Sequence, residues 1–151
     1  GKLDGIIHCA AELGYLLPLT EIDAKRWQRL MAINLYAPLA LTQAVLPLLK
    51  YSGHGQAVFV GDSACGDGKA FWGAYGVAKA GLKAYASIFQ QEMESFGLKS
   101  LYFEPDAMRS PIRLSAYPGE DHQALPHPEV PAERLIEAYL KHANSLRSIP
   151  V

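Results

Sequence analysis

Residues 56–83 read QAVFVGDSACGDGKAFWGAYGVAKAGLK. The stretch opens on a short apolar run, QAVFV, passes through a glycine-rich loop, and closes on a pattern of small residues that reads as the start of a helix. The apolar run is continuous rather than alternating, which suits a parallel strand covered on both faces. Two further runs of the same kind flank it, Leu3 to Cys9 (LDGIIHC) and Lys99 to Phe103 (KSLYF). Long helical stretches fill the intervals. The first runs from about Ala24 to Lys50 with Thr20 or Asp23 as its cap, and the second from Gly73 to Phe96, closed by Gly97. Strand, helix, strand, helix, strand implies right-handed crossovers and a partial doubly wound α/β fold, a parallel sheet with helices on both faces.

Pro38 and Pro47 fall inside the first helical stretch, so a kink is expected near Pro38 and Pro47 is expected in the last turn. The proline-rich segment 105–131 is expected to be a mobile loop with a short helix at Ile112 to Ala116. A final helix, about Ala132 to Asn144, should pack back on the sheet. Ligands of open α/β sheets bind at the carboxyl ends of the strands. That points to His8–Gly14, Gly61–Trp72 and Glu104–Ser115.

A chain of 151 residues, 50% hydrophobic, can bury the core of one domain. Its net charge of −1, with no basic stripe, argues against nucleic acid and anionic membrane as partners. No apolar run stands out as bilayer-length. The opening GKLDGIIHCAA lacks the pattern of a secretory signal, which makes a cytoplasmic setting the default. Cys9 and Cys65 match no metal or redox spacing and read as small buried hydrophobes. No histidine has a partner at zinc spacing, so no metal is expected. Both ends read as cut: the chain starts on an interior strand and stops at SLRSIPV with no closing strand.

Four residues carry candidate chemistry. Tyr75 and Lys79 lie four apart and share one face of a helix that starts at the strand-end crevice. A tyrosine ionises near 10 when unperturbed, and a nearby ammonium favours the phenolate, so Lys79 is expected to lower the Tyr75 pKa. Ser63, twelve residues before Tyr75, could hold a carbonyl oxygen while Tyr75 moves the proton, although a serine there also suits a turn. Asn34, in RLMAINLYAP, is an amide inside an apolar helical stretch and could equally be a kink residue bonded to backbone. GDSAC also resembles half of a GxSxG nucleophile elbow, which would make Ser63 the nucleophile of a hydrolase, with Cys65 in place of the second glycine and no assignable histidine.

Asn34, Ser63, Tyr75 and Lys79, in that order and at these separations, resemble the catalytic tetrad of the short-chain dehydrogenase/reductase family. LDGIIHCAA is similar to that family's fourth strand and NNAG segment, MAINLYAPLALTQAVLPLL to its asparagine-bearing fifth helix, and FEPDAMRSPIR to the PGxxxT segment after its sixth strand. The resemblance implies a single incomplete Rossmann-type domain over residues 1–151, from the fourth strand onward, with 105–131 as the substrate loop. It implies hydride transfer between a nicotinamide cofactor, NAD or NADP, and a small alcohol or carbonyl substrate. Tyr75 would be the acid/base, Lys79 would lower its pKa and hold the nicotinamide ribose, Ser63 would orient the substrate oxygen, and Asn34 would fix a relay water. Cys9, Ala10, Ala11, Asn34, Tyr75, Lys79, Pro105, Asp106 and Met108 would contact the cofactor. The two long helices resemble those that pair across the family's dimer interface, which implies a homodimer or homotetramer.

The sequence departs from the family pattern at HCAA, at Asp106 in place of glycine, and at Asp62, which holds the commonest serine spacing. The GxxxGxG phosphate loop does not occur in these residues, so they alone are expected to bind cofactor weakly. The alternative within the family is a non-catalytic member acting through binding or assembly.

Overall fold

The computed structural model describes residues 1–65 and 68–145. The expected absence of a closing strand falls on residues outside these, as do Gly66 and Asp67 of the glycine-rich loop. Strands β1 (Gly5–His8), β2 (Gln56–Val60) and β3 (Lys99–Phe103) form one sheet in that order, parallel throughout. Val58 stands opposite Ile7 on one side and Leu101 on the other. The doubly wound α/β expectation is met. The central strand explains the unbroken apolar run, because Ala57, Val58 and Phe59 have no exposed surface. β1 is shorter at both ends than expected: the Leu3 N–H goes to Leu48 O, and Cys9 is exposed beyond the ladder.

Helix α1 (Ala24–Met31) starts at Asp23, whose carboxylate accepts the Arg26 N–H at 2.9 Å. A π turn follows at Ala32–Tyr36, and α2 continues through Ala37–Ser52 to the left-handed Gly53 (φ 76°). The irregularity expected at Pro38 therefore lies one turn upstream. Pro38 has no N–H for the carbonyl of Asn34, and its ring crowds that carbonyl. The helix widens there, with the Ala37 N–H reaching back five residues to Ala32 O. Pro47 lies within α2 rather than in its last turn.

Ala24–Ser52 is long and apolar enough, by length and composition, to cross a membrane, which corrects the reading that no run has that length. Here Asn34, Pro38, Thr42 and Leu49 are buried within the protein.

Helix α3 (Gly73–Met93) runs into a 3₁₀ turn at Glu94–Phe96 and ends at Gly97 (φ 70°), as expected. Its Leu82, Ala86 and Phe89 pack with Ala57 and Phe59 of β2 to form the main core. Helix α4 (Pro111–Ala116) is capped by the Ser110 hydroxyl, which accepts from Arg113 N. Helix α5 (Glu129–Ser145) begins earlier than expected, because Pro131 is accommodated in a first turn, where its missing N–H has no intrahelical partner.

The proline-rich segment 105–131 carries hydrogen bonds within itself. Arg109 donates to Leu125 O at 2.8 Å and Gln123 O at 2.6 Å, and Arg113 pairs with both carboxylate oxygens of Glu120 at 2.6 Å.

Candidate active site

The carboxyl ends of the three strands converge on a cleft of about 500 Å³. Cys9 and Ala11 line it from the end of β1, Ser63 from the end of β2, Pro105, Asp106 and Met108 from the end of β3, and Tyr75 and Lys79 from α3. Eight of the predicted site residues thus share one cleft. Ala10 and Asn34 do not line it.

The first two turns of α3 carry Tyr75 and Lys79 into this cleft, and the start of the helix is tightly seated. A Cβ on Gly73 (φ 34°) would run into Ile22, and Phe71 before it holds a left-handed φ of 73°. Trp72 is buried against Tyr75, their ring centroids 5.9 Å apart. Both members of the pair are buried, Tyr75 at 2% and Lys79 at 4% exposure.

Their electrostatics differ from the expectation. The Lys79 ammonium donates to Val60 O at 2.8 Å and stands 5.6 Å from the centroid of the Tyr75 ring. The Tyr75 hydroxyl donates to Asp62 Oδ2 at 2.7 Å. Burial first, then the charge and hydrogen bond of Asp62, push the Tyr75 phenol well above its ordinary range, so the lowering expected from Lys79 is not found. Burial holds Lys79 below the usual lysine value, with Asp62 opposing that shift.

Ser63 is exposed, its hydroxyl 3.4 Å from Pro105 O, and it is not bonded to Tyr75. Among the described residues no histidine is hydrogen-bonded to Ser63, so the nucleophile-elbow reading gains no base. Asn34 sits behind the cleft in the π turn, 1% exposed. Its Oδ1 accepts from Glu12 N at 3.0 Å, and its Nδ2 donates to Glu12 O at 2.8 Å and Leu30 O at 2.9 Å. The amide therefore clamps the segment after β1 to the widened helix.

His8 is buried and packs rather than facing the cleft. Its Nε2 bonds Thr42 Oγ1 at 2.8 Å and its ring stacks on Phe59. Cys65 is buried, its thiol pushed up to about 11 chiefly by burial, whereas Cys9 is exposed, correcting its reading as a buried hydrophobe. Among the described residues no three His, Cys, Asp or Glu side chains converge as a metal site.

The wall facing Tyr75 carries residues not singled out from sequence: Lys69, Trp72, Ile112, Arg113 and Tyr117. Lys69 donates to the Tyr117 hydroxyl at 2.7 Å, and the Arg113 guanidinium lies 3.8 Å from the Tyr117 ring centroid. These residues come from loops and a short helix, where no periodicity marks them. Asp62 was visible as the residue at the commonest serine spacing, but its bond to Tyr75 was not.

The family model for short chain dehydrogenase matches residues 1–121. The chain belongs to the short-chain dehydrogenase family. This short-chain dehydrogenase sequence is 37% identical over 127 residues to the uncharacterized oxidoreductase YciK of Escherichia coli K12, covering 84% of this chain and 50% of that one. It is 32% identical over 166 residues to the benzil reductase ((S)-benzoin forming) IRC24 of Saccharomyces cerevisiae, covering 93% and 62%. A crystal structure of a short chain dehydrogenase from E. coli CFT073 complexed with NADPH superposes with a TM-score of 0.84 at 36% identity, covering 97% of this chain and 60% of that one. The chain spans about half the length of the first of these relatives.

Proposed function

We propose that the complete protein is an NAD(P)-dependent oxidoreductase acting on a small carbonyl or alcohol, with Tyr75 as the proton donor and acceptor. The observation that carries this reading is a buried phenol and a buried ammonium, one helical turn apart, lining the strand-end cleft. When bound, the nicotinamide supplies or accepts hydride at the substrate carbon. Tyr75 Oη gives its proton to the substrate oxygen in reduction and takes it back in oxidation. Ser63, lining the same cleft, orients that oxygen.

The residues present fit the nicotinamide ribose. Lys79 has three N–H donors, and the one hydrogen bond found for it among the described residues is to Val60 O, which leaves donors for ribose hydroxyls. Cys9 and Ala11 offer small side chains beside it, and Pro105, Asp106 and Met108 close the other side. Asn34 acts by fixing Glu12, and with it the segment that carries Cys9, Ala10 and Ala11.

Trp72, Tyr117 and Ile112 give the substrate side of the cleft aromatic and apolar surface beside the cations Lys69 and Arg113, which favours an aromatic or bulky carbonyl. Benzil, in the name of one relative, is a rational first substrate, and NADPH, in the complex of the similar structure, a rational first cofactor. Two copies pair through α2 and α3, where Leu41, Tyr51, Val77 and Ile88 are exposed. The unpaired cysteines accord with a reducing cytoplasmic setting.

The test is calorimetry of the complete protein with NADPH and NADH, followed by cofactor oxidation with a panel of aromatic and aliphatic carbonyls. Binding of one cofactor with turnover of at least one carbonyl is expected. Absence of binding to either would turn the reading to a non-catalytic member.

A further inference from the structure

The hydroxyl that a proton donor must offer to substrate is already engaged. Tyr75 Oη donates to Asp62 Oδ2 at 2.7 Å, while the other oxygen of the same carboxylate accepts the Ala64 N–H at 2.8 Å. An aspartate turn needs only the second of these bonds. The first is an additional commitment, made from a half-buried position directly after β2, within the cleft. The Ser63 hydroxyl, next along the chain, points to Pro105 O instead.

Resting on the reading of Tyr75 as proton donor, we propose that Asp62, not Ser63, is the polar partner of Tyr75. It is a positioning residue whose carboxylate holds the Tyr75 hydroxyl and disfavours the phenolate, so that Tyr75 is a weaker acid with Asp62 beside it than without it.

The physical reason is charge. Loss of the Tyr75 proton would place a phenolate at hydrogen-bond distance from a carboxylate, on a side chain that is itself buried. Lys79 opposes that repulsion, but its ammonium is bonded to Val60 O. Cys65 and Tyr102, the other titratable groups facing the phenol, also work against the phenolate. Arg113 lies on the far wall and is paired with Glu120. In reduction, with hydride arriving from the reduced nicotinamide, the O–H bond of Tyr75 breaks as a new O–H bond forms on the substrate oxygen. The phenolate left beside Asp62 then takes a proton from water in the open cleft, and the hydroxide so formed leaves to bulk solvent.

The experiment places a fluorinated tyrosine, whose phenol ionises at lower pH than tyrosine, at position 75 of the complete protein and follows its ionisation by fluorine NMR without cofactor. The titration is run with Asp62 intact, in Asp62→Asn, which keeps the turn and the acceptor but not the charge, and in Asp62→Ser. The midpoint is expected to fall by at least about one unit, tenfold in the ionisation constant, in both variants. A smaller shift in both, or an upward one, overturns the proposal. If one variant fails to fold by circular dichroism, the other decides. Tyr75→Phe turnover at neutral pH separates the two readings. If it survives, the proton-donor reading falls. If it is lost while the Asp62 variants leave the midpoint in place, only the role of Asp62 falls.

Discussion

Replacing Asn34 with alanine removes three hydrogen bonds at once from a site that water does not reach. At about 1 kcal/mol net for each, the loss is about 3 kcal/mol, and more where Glu12 N and Glu12 O stay buried without a new partner. Domains of this size are stable by only about 5–15 kcal/mol, so Asn34→Ala should remove a large share of the total. In urea, with a slope near 2 kcal/mol per molar, the midpoint should drop by about 1.5 M.

Asn34→Asp sharpens the test. It keeps an acceptor for Glu12 N but turns a carboxylate oxygen toward the carbonyls of Glu12 and Leu30. It should cost at least as much at neutral pH and recover part of that cost as the pH falls toward the aspartate range, where a proton restores the donor. A loss below about 1 kcal/mol in Asn34→Ala, with the urea slope unchanged, would refute the clamp and return Asn34 to the role of a free amide facing a relay water.

Other consequences are open to measurement. His8 is held below its ordinary pKa by burial, so the stability it contributes is present above about 6.5 and lost as pH falls through its lowered folded value. Urea midpoints between neutral and mildly acid pH should show this decline, and His8→Phe should flatten it. Phe71 is exposed and holds a left-handed φ of 73°, so Phe71→Gly should raise stability by about 1 kcal/mol in the same assay. If two copies pair through α2 and α3 as proposed, Leu41→Glu and Ile88→Glu, on their exposed faces, should lower the mass read by light scattering to that of one chain.

The parts of the fold legible in the sequence are those fixed by pattern. QAVFV is continuous because both faces of β2 are covered, and Gly53 and Gly97 end helices because only a left-handed residue closes those turns. The widened turn at Ala32–Tyr36 was legible only as a kink, since Pro38 announces a disturbance but not which carbonyl moves. The cleft was legible as Tyr75, Lys79 and Ser63 at family spacings. The partner of the phenol was not: whether Tyr75 meets Asp62, Ser63 or Lys79 depends on how the loop after β2 turns, which spacing does not encode. Burial was equally invisible, and it is burial that reverses the expected effect on the Tyr75 pKa.

The most direct measurement of the central claim is turnover of the complete protein with NADPH and its best carbonyl substrate, before and after Tyr75→Phe. The substitution removes one oxygen from a packed ring and leaves the Trp72 contact in place. If Tyr75 is the proton donor, the rate falls by about 100-fold or more while cofactor binding is retained. If turnover survives within about tenfold, the proton comes from elsewhere and the account is wrong at its centre.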